Sequence, residues 1–167
     1  MSKRPSANAV VNVLLSVACV VIIGDRVRDW LRPVTASASA VTPIPMGTRV
    51  VLANDVILRD RNIVLFARSN CRFCSESMAF YRRLSAEVRP RNVQFVVAGG
   101  EPEAVLSQYL ASHQLAVDRV VSMATPPEGV RVTPTLAVLD KNGAVVQSWV
   151  GKLPTEDEKA VERLLMQ

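Results

Sequence analysis

Apolar residues fall along this chain in blocks whose spacing predicts the elements they form. "NIVLFA", residues 62–67, is a short apolar run rich in branched and aromatic side chains, which suits a strand covered on both faces. From about Asn70 to Val88 the apolar positions Met78, Tyr81, Leu84 and Val88 recur at helical spacing, with Asn70 as the expected N-cap and Pro90 closing the segment. "NVQFVVAGG", 92–100, reads as a second buried strand. Its glycines and Glu101-Pro102-Glu103 turn the chain into a helix over about 102–113. "DRVVSM" is a short strand. "TPTLAVLDKNGAVVQSWVG" holds two apolar runs joined by Lys141-Asn142-Gly143, where Asn-Gly is a strong hairpin signal, and a helix over about 155–165 follows. Strands alternating with helices and then an antiparallel hairpin predict an α/β domain with a mixed central sheet and helices on both faces.

A different pattern precedes this domain. Residues 7–23, "ANAVVNVLLSVACVVII", carry no charge and follow the basic flank "MSKRPS". Their length is at the lower limit for spanning hydrocarbon. We read 1–24 as an uncleaved membrane anchor, since the apolar run is longer than most secretory signals and leads directly into charged "GDRVRDWLRP". A cleaved signal peptide is the competing reading, because "ASASA" at 36–40 offers small-residue cleavage sites. Lipid attachment at Cys19 is disfavoured because apolar "VVII" continues past it instead of a polar tether, and Cys19 reads as a small residue facing lipid. Residues 25–47, with small residues and prolines in "PVTASASAVTPIPMGT", read as a linker, and the domain is expected over 48–167.

Length changes this picture little: 167 residues hold one ordinary domain and an appendage. Charge is more informative in its distribution than in its total of +5. Residues 1–46 hold five Lys/Arg and two Asp/Glu, which leaves only +2 for the rest, too little to argue for nucleic acid. Residues 59–91 hold eight arginines against Asp60, Glu76 and Glu87, so the positive field surrounds "NCRFC". There, Cys71 and Cys74 stand three apart at a predicted helix start. A metal site would need further soft or imidazole ligands, yet His113 is the only histidine and Cys19 belongs to the apolar segment. His113 reads as a helix-surface residue, and Trp149 and Phe66 as core.

"VLFARSNCRFC", followed about sixty residues later by "VTPTLAVLDKNGAVVQSWVG", resembles the thioredoxin-like superfamily. The likeness spans the whole domain, and with the anchor and linker the chain is most similar to bacterial membrane-anchored, envelope-facing members. It implies thiol-disulfide oxidoreductase activity on protein thiol and disulfide clients, without a cofactor, in a domain facing the periplasm or cell exterior and supplied by a membrane electron donor. It also implies a cis Pro134, with the Thr133 backbone placed to pair with an extended client segment.

The chemistry is consistent with that likeness. Disulfide exchange needs a thiolate, which the first turn of a helix favours through unpaired N–H groups and the helix dipole. Cys71 is the expected attacking thiol, Cys74 the resolving one, and Arg68 and Arg72 the expected tuning charges. The pattern departs from thioredoxin in three places: Asn70 stands where the family has Trp, Arg72-Phe73 replaces Gly-Pro, and Leu65 occupies the position of a buried Asp. A proton shuttle from that carboxylate is therefore missing. The direction of electron flow depends on the reduction potential, which residue identities do not fix. The alternative from another class is a noncatalytic binding module whose cysteines form a structural disulfide and whose arginine-rich face holds an envelope partner.

Overall fold

The computed structural model describes residues 42–52 and 56–166. The first strand, β1 (Arg61–Phe66), explains how the core divides in two. Successive side chains on a strand point to opposite faces. Ile63 and Leu65 join one apolar cluster and Val64 and Phe66 the other, all nearly inaccessible to solvent. The continuous apolar run is thus the signature of a strand buried on both sides.

The chain continues through α1 (Arg72–Glu76), α2 (Met78–Val88) and a 3-10 turn, Arg89–Arg91, into β2 (Gln94–Gly99). Then come α3 (Glu103–Ser112), β3 (Arg119–Ser122), β4 (Thr135–Asp140), β5 (Val145–Val150) and α4 (Thr155–Met166). The five strands form one sheet in the order β3-β2-β1-β4-β5. β1, β2 and β3 run parallel, whereas β4 pairs antiparallel with β1 and with β5. This is the mixed sheet the apolar blocks predict.

Both parallel connections step across the sheet in the same direction, and the right-handed crossover rule then brings their helices to the same face. Tyr81 and Leu84 of α2, Leu110 of α3, and Val161 and Leu165 of α4 accordingly meet Leu65, Phe95, Val97 and Val138 in one cluster. The opposite cluster is covered differently from the expectation of helices on both faces. Ile44, Val50 and Leu52, from the extended segment ahead of β1, pack on Val64, Val96 and Leu139.

That covering segment begins inside the stretch read as linker. Ile44 is only 2% exposed, and its carbonyl accepts the Ser148 hydroxyl at 2.9 Å. The Gly47 N–H reaches the Val145 carbonyl at 2.8 Å. A linker composition has here been recruited to cap a sheet face that no described helix covers. The apolar segment 7–23 lies outside the described residues. Among the described residues, no helix is long and apolar enough to cross a membrane.

The helix expected from Asn70 to Val88 is two helices separated at Ser77. The Ser77 hydroxyl donates to the Phe73 carbonyl at 2.8 Å, and its backbone N–H lies within reach of both the Phe73 and Cys74 carbonyls. Back-bonding of a serine onto the preceding turn is a known cause of bending. The five-residue α1 therefore carries the cysteines on a short element of its own.

Candidate active site

β1 delivers the chain to the site at the edge where the parallel strands end. Ala67 closes the strand by donating to the Ala98 carbonyl at 3.0 Å, and the Cys71 N–H turns back to the Arg68 carbonyl at 3.2 Å. Cys71 is extended, with φ −89° and ψ 110°, and is the N-cap of α1 in place of the expected Asn70. Its sulfur takes the role that a serine or aspartate oxygen plays at other helix starts: the Cys74 N–H donates to Cys71 Sγ at 3.1 Å. A donor aimed at the sulfur favours the thiolate over the thiol when the pair is reduced.

Cys71 and Cys74 are joined by a disulfide, with Cα atoms 5.2 Å apart. The two sulfurs differ in access. Cys74 is fully buried in the cluster that contains Leu65, whereas Cys71 is partly exposed at its edge. An incoming sulfur would therefore meet Cys71 first.

The loop before β4 comes up beside the pair. The Thr133-Pro134 peptide is cis, as the resemblance implies. The Thr133 carbonyl lies 3.4 Å from Cys71 Sγ. The Thr135 hydroxyl donates to the Val132 carbonyl at 2.8 Å, and the Gly151 N–H donates to the Pro134 carbonyl at 2.7 Å, which fixes the loop on both sides. Thus residues sixty positions apart in sequence, Cys71, Cys74, Thr133 and Pro134, meet at one place. Phe73, between the cysteines, is 53% exposed and Val132 38%, so apolar surface adjoins the exposed sulfur.

The expected tuning arginines do not share one environment. Arg72 turns its guanidinium to Glu76 at 2.7 Å, and Glu76 also receives Lys152 at 3.1 Å. These two partners hold the Glu76 carboxyl below its ordinary value, the Arg72 hydrogen bond contributing most. Glu76 is therefore a stable anion rather than a proton shuttle, and much of the Arg72 charge is neutralised by its own helix. Arg68 is exposed and lies across from Glu101, whose carboxyl it helps to hold down.

Glu101, expected only as part of a turn, is a member of the site. One carboxylate oxygen accepts the Ser69 N–H and the other the Ser69 hydroxyl, each at 2.7 Å. Burial pushes the Glu101 carboxyl up, but the two Ser69 hydrogen bonds and Arg68 outweigh it, and the net shift is downward. The available signal was an acidic residue directly after a glycine pair at the carboxyl end of a parallel strand, where α/β sheets gather their functional groups. Lys152 carried no comparable signal.

Other expected placements hold. Leu65 is fully buried, so the strand position beneath the pair holds a hydrocarbon side chain. Phe66 and Trp149 are core residues. His113 ends α3, its ring standing edge-on to Tyr109 at 4.7 Å between centroids, and its carbonyl accepts Arg82 at 2.9 Å.

No protein-family model matches the chain. No curated protein matches it either. Solved structures do. A Chlorobium tepidum protein assigned as the thiol:disulfide interchange protein DsbE is 23% identical, with a TM-score of 0.53 over 64% of this chain and 78% of that one. The thioredoxin domain of a Bacteroides vulgatus thiol-disulfide oxidoreductase is 13% identical, with a TM-score of 0.58 over 73% of this chain and 99% of that one. A thiol:disulfide interchange protein from Bacteroides sp. is 13% identical, with a TM-score of 0.53 over 65% and 74%. The strand order, the cysteine pair on its short helix and the cis proline facing it give this chain a thioredoxin-like fold.

Proposed function

We propose that this protein is a thiol-disulfide oxidoreductase that exchanges disulfides with protein cysteines in the cell envelope, through Cys71 and Cys74. The observation that carries the reading is Cys71 Sγ itself: the more exposed sulfur of a disulfide, accepting the Cys74 N–H and lying beside the Thr133 carbonyl. A permanently structural disulfide needs neither an accessible sulfur nor a donor ready to stabilise the anion.

In the dithiol form, the Cys71 thiolate attacks one sulfur of a client disulfide. The client S–S bond breaks, a Cys71–client bond forms, and the second client sulfur leaves as a thiolate that takes a proton from solvent. Deprotonated Cys74 then attacks Cys71 Sγ, restoring the Cys71–Cys74 bond and releasing the first client sulfur. Two electrons pass from protein to client. The reverse sequence begins with a client thiolate attacking Cys71 Sγ and expelling Cys74. Leu65 supplies no carboxylate for the Cys74 proton, so that proton leaves through water or the client.

We place the domain outside the cytoplasm on a membrane anchor at 1–24, because an uncharged segment and a small-residue stretch precede it. The Thr133-Pro134 loop would align an extended client segment, and a membrane electron donor would reduce the pair if the protein acts as a reductase. The test is disulfide exchange with a protein client by the wild type and by Cys71→Ser. The expected result is loss of exchange in the variant; equal rates overturn the enzyme reading. Recovery of the full-length, unprocessed chain in the soluble fraction overturns the anchor.

A further inference from the structure

A cavity of about 170 Å³ lies at the carboxyl ends of β1 and β2, beside the start of the loop that leads to Cys71. Phe66, Ala98, Met123 and Val130 give it apolar walls, and Thr133, whose carbonyl lies 3.4 Å from Cys71 Sγ, stands at its edge. Its volume is close to that of an apolar cavity of about 150 Å³ known to hold a benzene-sized molecule. It is too small for a drug-sized ligand, which usually occupies about 300 Å³ or more. One side chain of a larger molecule fits it.

The charges at the mouth narrow the choice. Glu101 lines the cavity as an anion that partly offsets the Arg68 charge, but both of its oxygens are engaged by Ser69, which leaves the Arg68 guanidinium as the charged hydrogen-bonding group for a ligand. Arg68 lines it as well, with an exposed side chain, and the Cys71 N–H bonds to its carbonyl at 3.2 Å. The site therefore offers an apolar recess with Thr133 at its edge and a cation at its lip, Arg68, three residues before the reactive sulfur. An extended chain advances about 3.3 Å per residue, so a side chain one or two positions from a client cysteine at Cys71 stands roughly 3–7 Å along from it.

We infer that this cavity is a specificity subsite for the client polypeptide: an apolar side chain within two residues of the client cysteine fills it, and a neighbouring carboxylate meets Arg68. The inference rests on the disulfide-exchange reading and names the client class that reading leaves open. Clients with an apolar and acidic surround to the cysteine are favoured over those with a basic surround.

Binding of cysteine-free peptides to the wild-type protein tests the subsite separately from the chemistry. In a short peptide carrying serine at the cysteine position, phenylalanine is placed in turn at each of the two positions on either side, with glutamate beside it. At the preferred position, replacing phenylalanine by serine weakens binding by about tenfold or more, as for other side-chain pockets. Replacing glutamate by lysine weakens it further, and that effect shrinks with added salt. In Val130→Phe, which fills the recess from the protein side, the phenylalanine preference is lost. Equal binding of the phenylalanine and serine peptides at all four positions overturns the subsite, as does a preference that survives in folded Val130→Phe. The matching cysteine peptides, run as disulfides, report on the chemistry: selective binding without exchange sinks the oxidoreductase reading and leaves the subsite standing.

Discussion

The Glu101 carboxylate holds Ser69 with both oxygens, one on its backbone N–H and one on its hydroxyl. Ser69 lies two residues before Cys71, so the bond ties the loop that presents the reactive sulfur to the end of β2. Glu101→Gln keeps one acceptor and loses the other. It is expected to cost about 1 kcal/mol, the lower range for a hydrogen bond to a charged group, since the site is partly open to water. The cost depends on pH. The Glu101 carboxyl is held below its ordinary value in the folded protein, so its contribution is complete above the unfolded-state value and is lost as pH falls through the folded one. Urea midpoints at neutral pH and near pH 3 check this: the gap between wild type and variant should narrow on acidification, and a gap that stays constant or widens rules the clamp out.

Unequal burial of the two sulfurs assigns them different parts. With Cys74→Ser, a mixed disulfide formed on Cys71 has no internal thiol to resolve it, and the complex should accumulate. With Cys71→Ser, the remaining thiol is fully buried, and few or no complexes should form. Non-reducing gels after incubation with a disulfide-bonded client, followed by thiol quenching, read the difference. Equal trapping by the two variants would mean that Cys74 is as reachable as Cys71.

Glu76 sits between Arg72 and Lys152 and spends its charge on both. Removing its charge in Glu76→Gln leaves Arg72, next to Cys71 in sequence, and Lys152 uncompensated on the short α1. The local potential then rises and favours a thiolate at Cys71, so the pH of half-maximal alkylation of the reduced protein should fall. The shift should diminish at high ionic strength, because all three groups are largely solvated. An upward or salt-independent shift contradicts this account.

The sheet was legible because its strands announce themselves. "IVLFA" in the first stretch and "FVVA" in the second are unbroken apolar runs, as suits strands covered on both faces, and Asn142-Gly143 marks the hairpin. At Gly143, φ is +77° and an added Cβ would stand 2.8 Å from the Val50 carbonyl oxygen, so the turn chemistry and the close approach agree. The cysteine pair and Thr133-Pro134 were legible through family likeness, although their meeting depends on β1 and β4 being neighbours. What escaped was decided by tertiary contacts with weak local traces. Ile44 lies in a proline-rich stretch that looks like linker, yet covers a sheet face that no described helix covers. Arg72 sits next to Cys71 in sequence, but its side chain finds Glu76 one turn along. Ser77 breaks the helix through a hydroxyl turned back onto the Phe73 carbonyl, for which an isolated serine inside a helical pattern gives no local sign.

Leu65 connects that core to the chemistry. It belongs to the same buried cluster as Cys74, Tyr81 and Val97, with no exposed surface, at the strand position where thioredoxins place a carboxylate. Its side chain is therefore part of the floor on which Cys74 rests. Truncation in Leu65→Ala removes apolar contacts and leaves a void, a change that costs roughly 2–5 kcal/mol in cores of this kind. The cost should be essentially independent of pH from mildly acidic to neutral conditions, because neither side chain titrates. Denaturant unfolding of the oxidised protein at two pH values measures it. A loss under about 1 kcal/mol would mean that the site collapses around the smaller residue, and a pH-dependent loss would mean that Leu65 supports an ionisable group.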